Sequence, residues 1–221
     1  MLILGVDCSS KQGSVAVVKD SKPLYQCVYD SNMTHSQNLL SLIENAVSVC
    51  GITKKDIDLF AVTLGPGSFT GLRIGLALVK GMAMALDKPC VGVSSLAAMA
   101  ECVDLDGVVI PCFDARRGQV YCSIVDGGEV IAADDCIMAD TLESFVKDCP
   151  KDIYFVGDGK DVCYNKFSKY TNVKSHSVLM PCIAYGACLM AENMPPQTHF
   201  ELSPSYLRLS QAERELKEKN K

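Results

Sequence analysis

The sequence predicts an α/β fold in two lobes, because one pattern of elements occurs twice along the chain. Residues 1–104 read as three short strands followed by alternating helices and strands, in the order βββαβαβα. Residues 105–209 start again with three strand-like runs, and residues 210–221 form a charged tail. Such a repeat indicates a duplicated fold, with the boundary between the lobes near Asp104–Gly107.

The first lobe is predicted to open with an antiparallel meander and an amphipathic helix. Only short polar stretches separate the first three strands, which favours hairpins over crossovers. In the helix, apolar residues recur on one side, and Gly51 follows as its C-terminal cap. The predicted bounds are strands at Leu2–Asp7, Gly13–Val18 and Leu24–Tyr29 and a helix at Ser36–Cys50.

Buried strands and helices alternate in the rest of the chain. Lys88-Pro89 ends the long second helix, and Ser94 or Ser95 caps the third. The remaining predicted strands are Leu59–Leu64, Cys90–Val93, Val108–Phe113, Gln119–Val125, Glu129–Ala132 and Ile153–Val156, with turns at DARRG and DGG. The remaining predicted helices are Thr70–Leu86, the segment from Ser95 to about Cys102, and, further on, about Thr141–Asp148, Asp161–Phe167 and Cys182–Glu192.

The composition is that of a globular protein with an ample core. Of 221 residues, 48% are hydrophobic and 21% are charged. The formal net charge of −5 argues against a broad basic face that binds nucleic acid alone, although it permits RNA contact inside a complex. The pair Arg116–Arg117 and the tail are local basic exceptions.

Twelve cysteines are predicted to be reduced, structural thiols in a cytoplasmic protein. The N-terminal MLILGVD has no basic region and reads as a first strand, not as a signal peptide. Without export, stable disulfides are not expected, and no Cys-x-x-Cys pair suggests zinc or an iron–sulfur cluster. No apolar run approaches the ~20 residues of a membrane span, so no membrane association is expected.

Two polar turns are candidates for anion binding. An acidic residue at the end of a core strand, followed by hydroxyls in Asp7-Cys8-Ser9-Ser10, can hold a metal or a phosphate, or can bond its own backbone as a hairpin turn. The loop GPGSFTG places free amides at a helix start, where a phosphate or carboxylate can bind, or it serves only as a structural turn; it lacks the Lys-Ser/Thr pair of a P-loop. The candidate anion or nucleotide residues are Asp7, Ser9, Ser10, Gly67 and Ser68.

The second helix is apolar nearly all round, which indicates burial on more than one side. Its small and apolar residues include the strip Gly71, Gly75, Leu78 and Met82, whose glycines permit close approach of another element. One sheet covers only one face of a helix. The second face therefore needs either another part of this chain or another subunit, and the pattern alone leaves both open.

Conventional catalytic motifs are absent from the sequence. His35 has Leu39 where a metal-binding pair would place a second histidine, so neither a metal nor a cofactor is predicted. Ser68 does not lie in a Gly-x-Ser-x-Gly elbow, and no cysteine pairs with a histidine as a nucleophile would.

Six stretches spread over nearly the whole chain carry a family resemblance. They are LGVDCSSKQGSVAVV, MTHSQNLLSLIENA, DLFAVTLGPGSFTGLRIGLALVKGMA, VGVSSLAAMA, DARRGQVY and SPSYLRL. Together they resemble the TsaB (YeaZ-like) family, partner subunits in bacterial formation of threonylcarbamoyl-adenosine at position 37 of tRNAs that read codons beginning with A. The resemblance implies a two-lobed actin/hexokinase-like (ASKHA, duplicated RNase H-like) fold.

The resemblance also implies partners. The first two long helices are expected to pack against the equivalent helices of the catalytic paralogue TsaD as a four-helix bundle. A TsaE-type ATPase completes the complex, and tRNA is met only through it. A homodimer through the same helices, as a storage form of the chain alone, is a further alternative. The implied partner-binding residues are His35, Leu39, Leu42, Ile43, Gly71, Arg73, Gly75, Leu78 and Met82.

Departures from the catalytic relatives predict a non-catalytic scaffold. TsaD-like proteins carry a His-x-x-x-His metal motif, where this chain has His35 alone. Nucleotide-using members of the fold open the second lobe with an Asp-x-Gly-Gly loop, where this chain has Asp114–Gly118, and Gly157-Asp158-Gly159 matches the adenosine-side glycines only partly. The alternatives are an independent ATPase or sugar-kinase-like enzyme of this fold, and a glycoprotease-type metallopeptidase.

Overall fold

The computed structural model describes residues 1–30, 34–175 and 180–208, which fold into two sheets and six α-helices. The strands are β1 (Leu2–Asp7), β2 (Gly13–Lys19), β3 (Lys22–Tyr29), β4 (Leu59–Gly65), β5 (Cys90–Ser94), β6 (Val108–Arg116), β7 (Gln119–Asp126), β8 (Glu129–Met138) and β9 (Ile153–Val156). The helices are α1 (His35–Val49), α2 (Phe69–Leu86), α3 (Ser95–Glu101), α4 (Glu143–Asp148), α5 (Lys160–Phe167) and α6 (Ile183–Glu192). The predicted α/β class is confirmed.

The first sheet has the strand order β3-β2-β1-β4-β5. β1 pairs antiparallel with β2 and parallel with β4, and β2 pairs antiparallel with β3, which confirms the predicted meander. Every residue of β1 is buried. Strands are buried on both faces in this way when helices cover both sides of the sheet.

Two pairs of helices cover the two faces of the first sheet. Leu4 lies in the core under α1 and α2, together with Ile43. Its neighbour Ile3 faces the other way, into a core that contains Ala184 of α6, because side chains alternate along a strand. Gly5 lets α6 approach closely, since an added Cβ would lie 2.3 Å from the carbonyl oxygen of Ala184.

The second sheet, in the order β8-β7-β6-β9, repeats this plan. β6 pairs antiparallel with β7 and parallel with β9, as β1 does with β2 and β4. α3 contacts β6 and β7, while α6 packs on β1, β2 and β4 of the first sheet. The chain therefore crosses back to the first sheet near its end, and the division into residues 1–104 and 105–209 stays a prediction.

β8 is longer than the sequence predicted. The predicted strand ended at Ala132, whereas β8 runs to Met138 and pairs with β7 as far as Gln119. Asp134 and Asp135 have low strand propensity, but cross-strand pairing overrides it. The predicted helix at Thr141–Asp148 likewise starts as a 3-10 turn at Ala139–Leu142, so α4 itself has only six residues.

The predicted turn DARRG belongs mostly to a strand. Asp114 to Arg116 continue β6, and only Arg117 and Gly118 turn toward β7. Arg116 and Arg117 both have positive φ, at 65° and 56°, which is uncommon for residues with a side chain. The hairpin therefore places two adjacent arginines at its tip.

α2 corrects the expectation that no segment is long and apolar enough to span a membrane. Its 18 residues meet that criterion by length and composition, and one third of them are buried. The buried residues include Leu72, Leu76 and Val79, and α2 contacts β4 and β1. We therefore treat α2 as a core helix of the first lobe, with a large part of its surface left exposed.

Residues 197–208, here called the strap, run along the first sheet and reach the second. Gln197 exchanges backbone hydrogen bonds with Cys90 at 2.8 and 2.9 Å. The amide of Ser205 donates to the carbonyl oxygen of Leu64 at 2.7 Å. Further on, Arg208 donates to a backbone carbonyl of β6 at 2.7 Å. The strap thus ties the two lobes together at one side of α2.

Candidate functional site

The polar turns meet at a cleft of about 830 Å³ between the two lobes. The first lobe contributes the β1–β2 turn, the start of α1 and the start of α2. The second lobe contributes the end of β6 and the loop before α5, and the strap contributes Arg208. Four predicted anion-site residues line this cleft, namely Ser9, Ser10, Gly67 and Ser68.

Asp7, the fifth predicted anion-site residue, does not line this cleft. Its Oδ1 accepts hydrogen bonds from the Ser9 amide at 3.0 Å and from the Thr63 hydroxyl at 2.7 Å. Burial raises the pKa of the Asp7 carboxyl, because a charged form loses hydration there. This arrangement matches the alternative in which Asp7 stabilises the turn, and it links β1 to β4.

Several polar groups at the start of α2 form hydrogen bonds within the protein. The Ser68 amide donates to the carbonyl oxygen of Ser9 at 2.7 Å, and the Ser68 hydroxyl accepts from the Gly71 amide at 3.2 Å. Gly67 permits this contact, because an added Cβ would lie 2.2 Å from the Ser9 carbonyl oxygen. Only the hydroxyl of Ser9 is buried here without a hydrogen-bond partner among the described residues.

His35 connects three segments of the first lobe. Its Nδ1 lies 2.7 Å from the Tyr29 hydroxyl, and its Nε2 lies 3.0 Å from the carbonyl oxygen of Ser10. Both ring nitrogens are therefore engaged with protein atoms, which fixes the start of α1 against the β1–β2 turn. The Tyr29 hydroxyl in turn lies 4.0 Å from the sulfur of Cys8.

Two carboxylates of the second lobe organise the opposite wall of the cleft. Asp158 accepts from the amide of Asp114 at 2.9 Å, and Asp114 accepts from the amide of Arg116 at 2.7 Å. Burial is the main cause of a raised pKa of the Asp158 carboxyl. These bonds hold the end of β6 in place, so that Arg116 lies at the cleft.

Four residues predicted for a partner surface are instead buried in the first lobe. Leu39 and Ile43 are 1% and 0% exposed, within the core beneath α1 and α2. Gly71 and Gly75 face the residue that follows β1: an added Cβ would lie 2.0 Å from the Cys8 carbonyl oxygen at Gly71 and 3.5 Å from the Cys8 side chain at Gly75. The helix pattern showed two apolar sides but not which of them faces inward.

The exposed side of α2 carries a different stripe of small residues. Ala77, Gly81 and Ala85 are exposed and recur every fourth residue, and a Cβ added at Gly81 would meet no atom within 4 Å. Other apolar side chains of α1 and α2 are partly buried or exposed. Together with the stripe they define what we call the α1–α2 face, which comprises Leu40, Leu42, Ile74, Ala77, Leu78, Gly81, Met82, Met84 and Ala85.

The contact between the strap and α2 has no signal in the sequence. The rings of Phe69 and Tyr206 stack with centroids 4.2 Å apart, and Arg73 donates to the Tyr206 hydroxyl at 2.8 Å. Lys80 donates to the carbonyl oxygen of Leu202 at 3.0 Å. The stretch SPSYLRL signalled only a family resemblance, because nothing in it shows which distant helix it will contact.

Comparisons of the sequence with known proteins agree on one pathway. Residues 30–179 match the family described as "TsaD: tRNA N6-adenosine threonylcarbamoyltransferase". The "tRNA threonylcarbamoyladenosine biosynthesis protein TsaB" of Bacillus subtilis is 30% identical over 223 residues, with 96% of each chain covered. The protein of the same name from Escherichia coli is 34% identical over 127 residues, or 55% of this chain and 53% of that one.

Solved structures support the fold. A Pseudomonas aeruginosa protein described as similar to peptidase YEAZ has a TM-score of 0.79 at 24% identity, over 94% of this chain and 99% of that one. The activator of the 2-hydroxyisocaproyl-CoA dehydratase from Clostridium difficile, with bound ADPNP, has a TM-score of 0.55 at 13% identity, over 86% and 94%. At these identities the likeness concerns the fold alone, and it confirms the expected actin/hexokinase-like architecture.

Proposed function

We propose a specific role for this chain, which belongs to the TsaB (YeaZ-like) family of tRNA threonylcarbamoyladenosine biosynthesis proteins. It serves the pathway as a non-catalytic docking subunit. Its role in that biosynthesis follows from family membership. The finer assignment is that it binds a TsaD-type transferase through the α1–α2 face and stabilises the active form of that partner. The proposal includes a TsaE-type ATPase in the same complex, and a cytoplasmic location.

The observation that carries the proposal is the exposed, apolar side of α2. Leu78 and Met82 remain partly exposed, and Met84 is 62% exposed. Contiguous apolar surface of this kind is typical of interaction sites. Ala77 and Gly81 between these side chains permit a partner helix to approach closely, since the distance between packed helices depends on the side chains at the contact.

The polar groups of the cleft support a non-catalytic role. Oδ1 of Asp7 and both ring nitrogens of His35 already form hydrogen bonds with neighbouring protein groups. In the second lobe, Arg116 and Arg117 occupy the loop where nucleotide-using relatives carry glycines. An activator of this kind works by binding the active state of its partner better than the inactive state.

The α1–α2 face can also pair two copies of this chain when the transferase is absent. A twofold dimer would bury the same apolar residues on both copies. This homodimer and the complex with the transferase compete for one surface. Adding the transferase should therefore dissociate the homodimer, which analytical ultracentrifugation can follow.

Co-elution with the purified TsaD-type subunit tests the proposal. Gly81→Leu places a large side chain on the exposed stripe and should abolish co-elution, whereas Asn165→Leu, on an exposed position of α5, should leave it unchanged. Circular dichroism and unfolding midpoints of both variants verify that each is folded. Equal co-elution of the two variants would contradict the assignment of the α1–α2 face.

A further inference from the structure

The interlobe cleft differs in charge from the rest of the protein. The whole chain has a formal net charge of −5. The cleft, in contrast, is lined by four cationic side chains and only two carboxylates, those of Asp114 and Asp158. The cations are Lys11, Arg73, Arg116 and Arg208.

The carboxylates do not cancel the cations at the mouth of the cleft. Asp158 and Asp114 accept backbone amides at the end of β6, as described above. By contrast Arg73 and Arg116 are exposed. Lys11 forms an ion pair with Asp30 at 3.1 Å, outside the cleft lining, and its side chain is 73% exposed. The exposed cations are therefore accessible to a ligand that lies across the opening of the cleft. The two aspartates, in contrast, stabilise the end of β6.

The arginines retain donors for a ligand. Arg208 uses Nη1 on a backbone carbonyl, and Arg73 uses Nε on the Tyr206 hydroxyl. A guanidinium has five N–H donors, so each arginine is oriented by one contact and keeps others. Within residues 1–30, 34–175 and 180–208, no carboxylate forms an ion pair with Arg116.

The distribution of these cations favours a chain of phosphates over a single phosphate. They come from four separate segments: the β1–β2 turn, α2, the β6–β7 hairpin and the strap. The phosphates of a mononucleotide need donors that converge on one point. The turn at residues 116–118 instead carries arginine side chains. A polyanion extends across the opening and meets separate cations along its backbone.

An aromatic pair at the same place fits the bases of a nucleic acid. Phe69 lines the cleft and stacks on Tyr206 of the strap. The Arg73 guanidinium lies 5.7 and 5.5 Å from the centroids of the two rings. Aromatic rings beside a cationic groove are the usual means of holding single-stranded nucleic acid, because every base has a face that can stack.

We infer that this cleft binds a single-stranded segment of RNA, with Lys11, Arg73, Arg116 and Arg208 on its phosphates. The inference rests on the proposed function only in naming tRNA as the source of that segment. It assigns direct RNA contact to a subunit whose overall charge is acidic. The acidic remainder of the surface makes this binding weak for the chain alone and confines it to the cleft.

Fluorescence anisotropy with a labelled tRNA anticodon stem–loop tests the inference on the isolated full-length chain. Titrations at several salt concentrations, starting at about 20 mM, give the slope of log K against log salt concentration. Arg116→Ala should lower the magnitude of that slope by roughly 0.7–1, the value for one lost phosphate contact. Arg117→Ala is the matched control, since Arg117 has a similar backbone conformation at the same hairpin but does not line the cleft.

The outcomes are distinct. Weaker binding and a smaller slope for Arg116→Ala, with wild-type values for Arg117→Ala, support the RNA site. No binding at the lowest salt, equal effects of both variants, or displacement of the RNA by equimolar ATP would overturn it. Arg116→Ala should still co-elute with the TsaD-type subunit, so failure here is separable from failure of the docking proposal.

Discussion

Gly81→Ala should stabilise the isolated chain and at the same time weaken its docking. Gly81 lies in the interior of α2 on its exposed side, with open space around it. Glycine inside a helix is less favourable than alanine by about 0.8–1.0 kcal/mol. At a concentration low enough to keep the chain monomeric, the free energy of unfolding of the variant should rise by that amount, and the thermal midpoint by about 2–4 °C.

Docking should respond in the opposite direction. If α2 packs through its exposed stripe against a partner helix, the added methyl group at position 81 has no space in the complex. Overpacking typically costs about 1–3 kcal/mol, and a loss of 1.4 kcal/mol is tenfold in affinity. We therefore expect about tenfold weaker binding of the TsaD-type subunit by isothermal titration calorimetry.

Asn165→Ala is the control, because Asn165 is exposed on α5 and alanine also improves the helix there. It should raise the stability by a smaller amount and leave the affinity for the partner unchanged. Urea unfolding of both variants measures the change in the free energy of unfolding separately from the change in affinity. A Gly81→Ala variant that is more stable and binds with wild-type affinity would refute close helix packing at this stripe.

Three further predictions concern the turns and the core of the first lobe. Gly75→Leu should destabilise the fold by about 1–3 kcal/mol in urea unfolding, because an added Cβ already contacts the Cys8 side chain; loss of docking with unchanged stability would contradict it. Gly67→Ala should lower the unfolding midpoint, because its Cβ would lie 2.2 Å from the Ser9 carbonyl oxygen; an unchanged midpoint would show that the turn relaxes freely. Since burial raises the pKa of the Asp7 carboxyl, its charged form opposes folding above the unfolded pKa of about 3.9. Asp7→Asn should therefore gain stability over wild type as the pH rises from about 4 and show little gain below, and a gain that does not depend on pH would refute this.

The sequence predicted the strands and helices of the first lobe closely because their signals are local. β1 matches the prediction at both ends, and α2 begins one residue before it. In these elements the apolar periodicity, the proline after the second helix and the capping serines all favour the same structure. Ser94 does cap α3, since its hydroxyl accepts from the Ala97 amide at 3.1 Å.

The orientation of α2 could not be predicted from its sequence. Gly75 and Gly81 both lie in an apolar helix, yet one faces β1 and the other faces outward. The difference depends on which side of the helix meets the sheet, and that is a tertiary property. The predicted partner residues therefore include Gly71 and Gly75, which lie on the inner side of α2, and the partner surface itself stays a proposal.

Long-range contacts explain the other differences. β8 extends to Met138 because β7 pairs with it, and the strap reaches α2 through Tyr206, which is 133 residues from Arg73. The basic cleft also depends on folding, since Lys11 and Arg208 lie near opposite ends of the chain. Of the four cleft cations, only Arg116 belonged to a local basic segment that the sequence indicated, the pair Arg116–Arg117.

Reconstituted tRNA modification tests the central claim most directly. The TsaD-type subunit and the remaining factors are assayed for threonylcarbamoyl-adenosine formation with the wild-type chain, with Gly81→Leu, and without this chain. A non-catalytic docking subunit predicts full activity only with the wild-type chain, and loss of activity both with Gly81→Leu and when the chain is omitted. Full modification in the absence of this chain would contradict the claim.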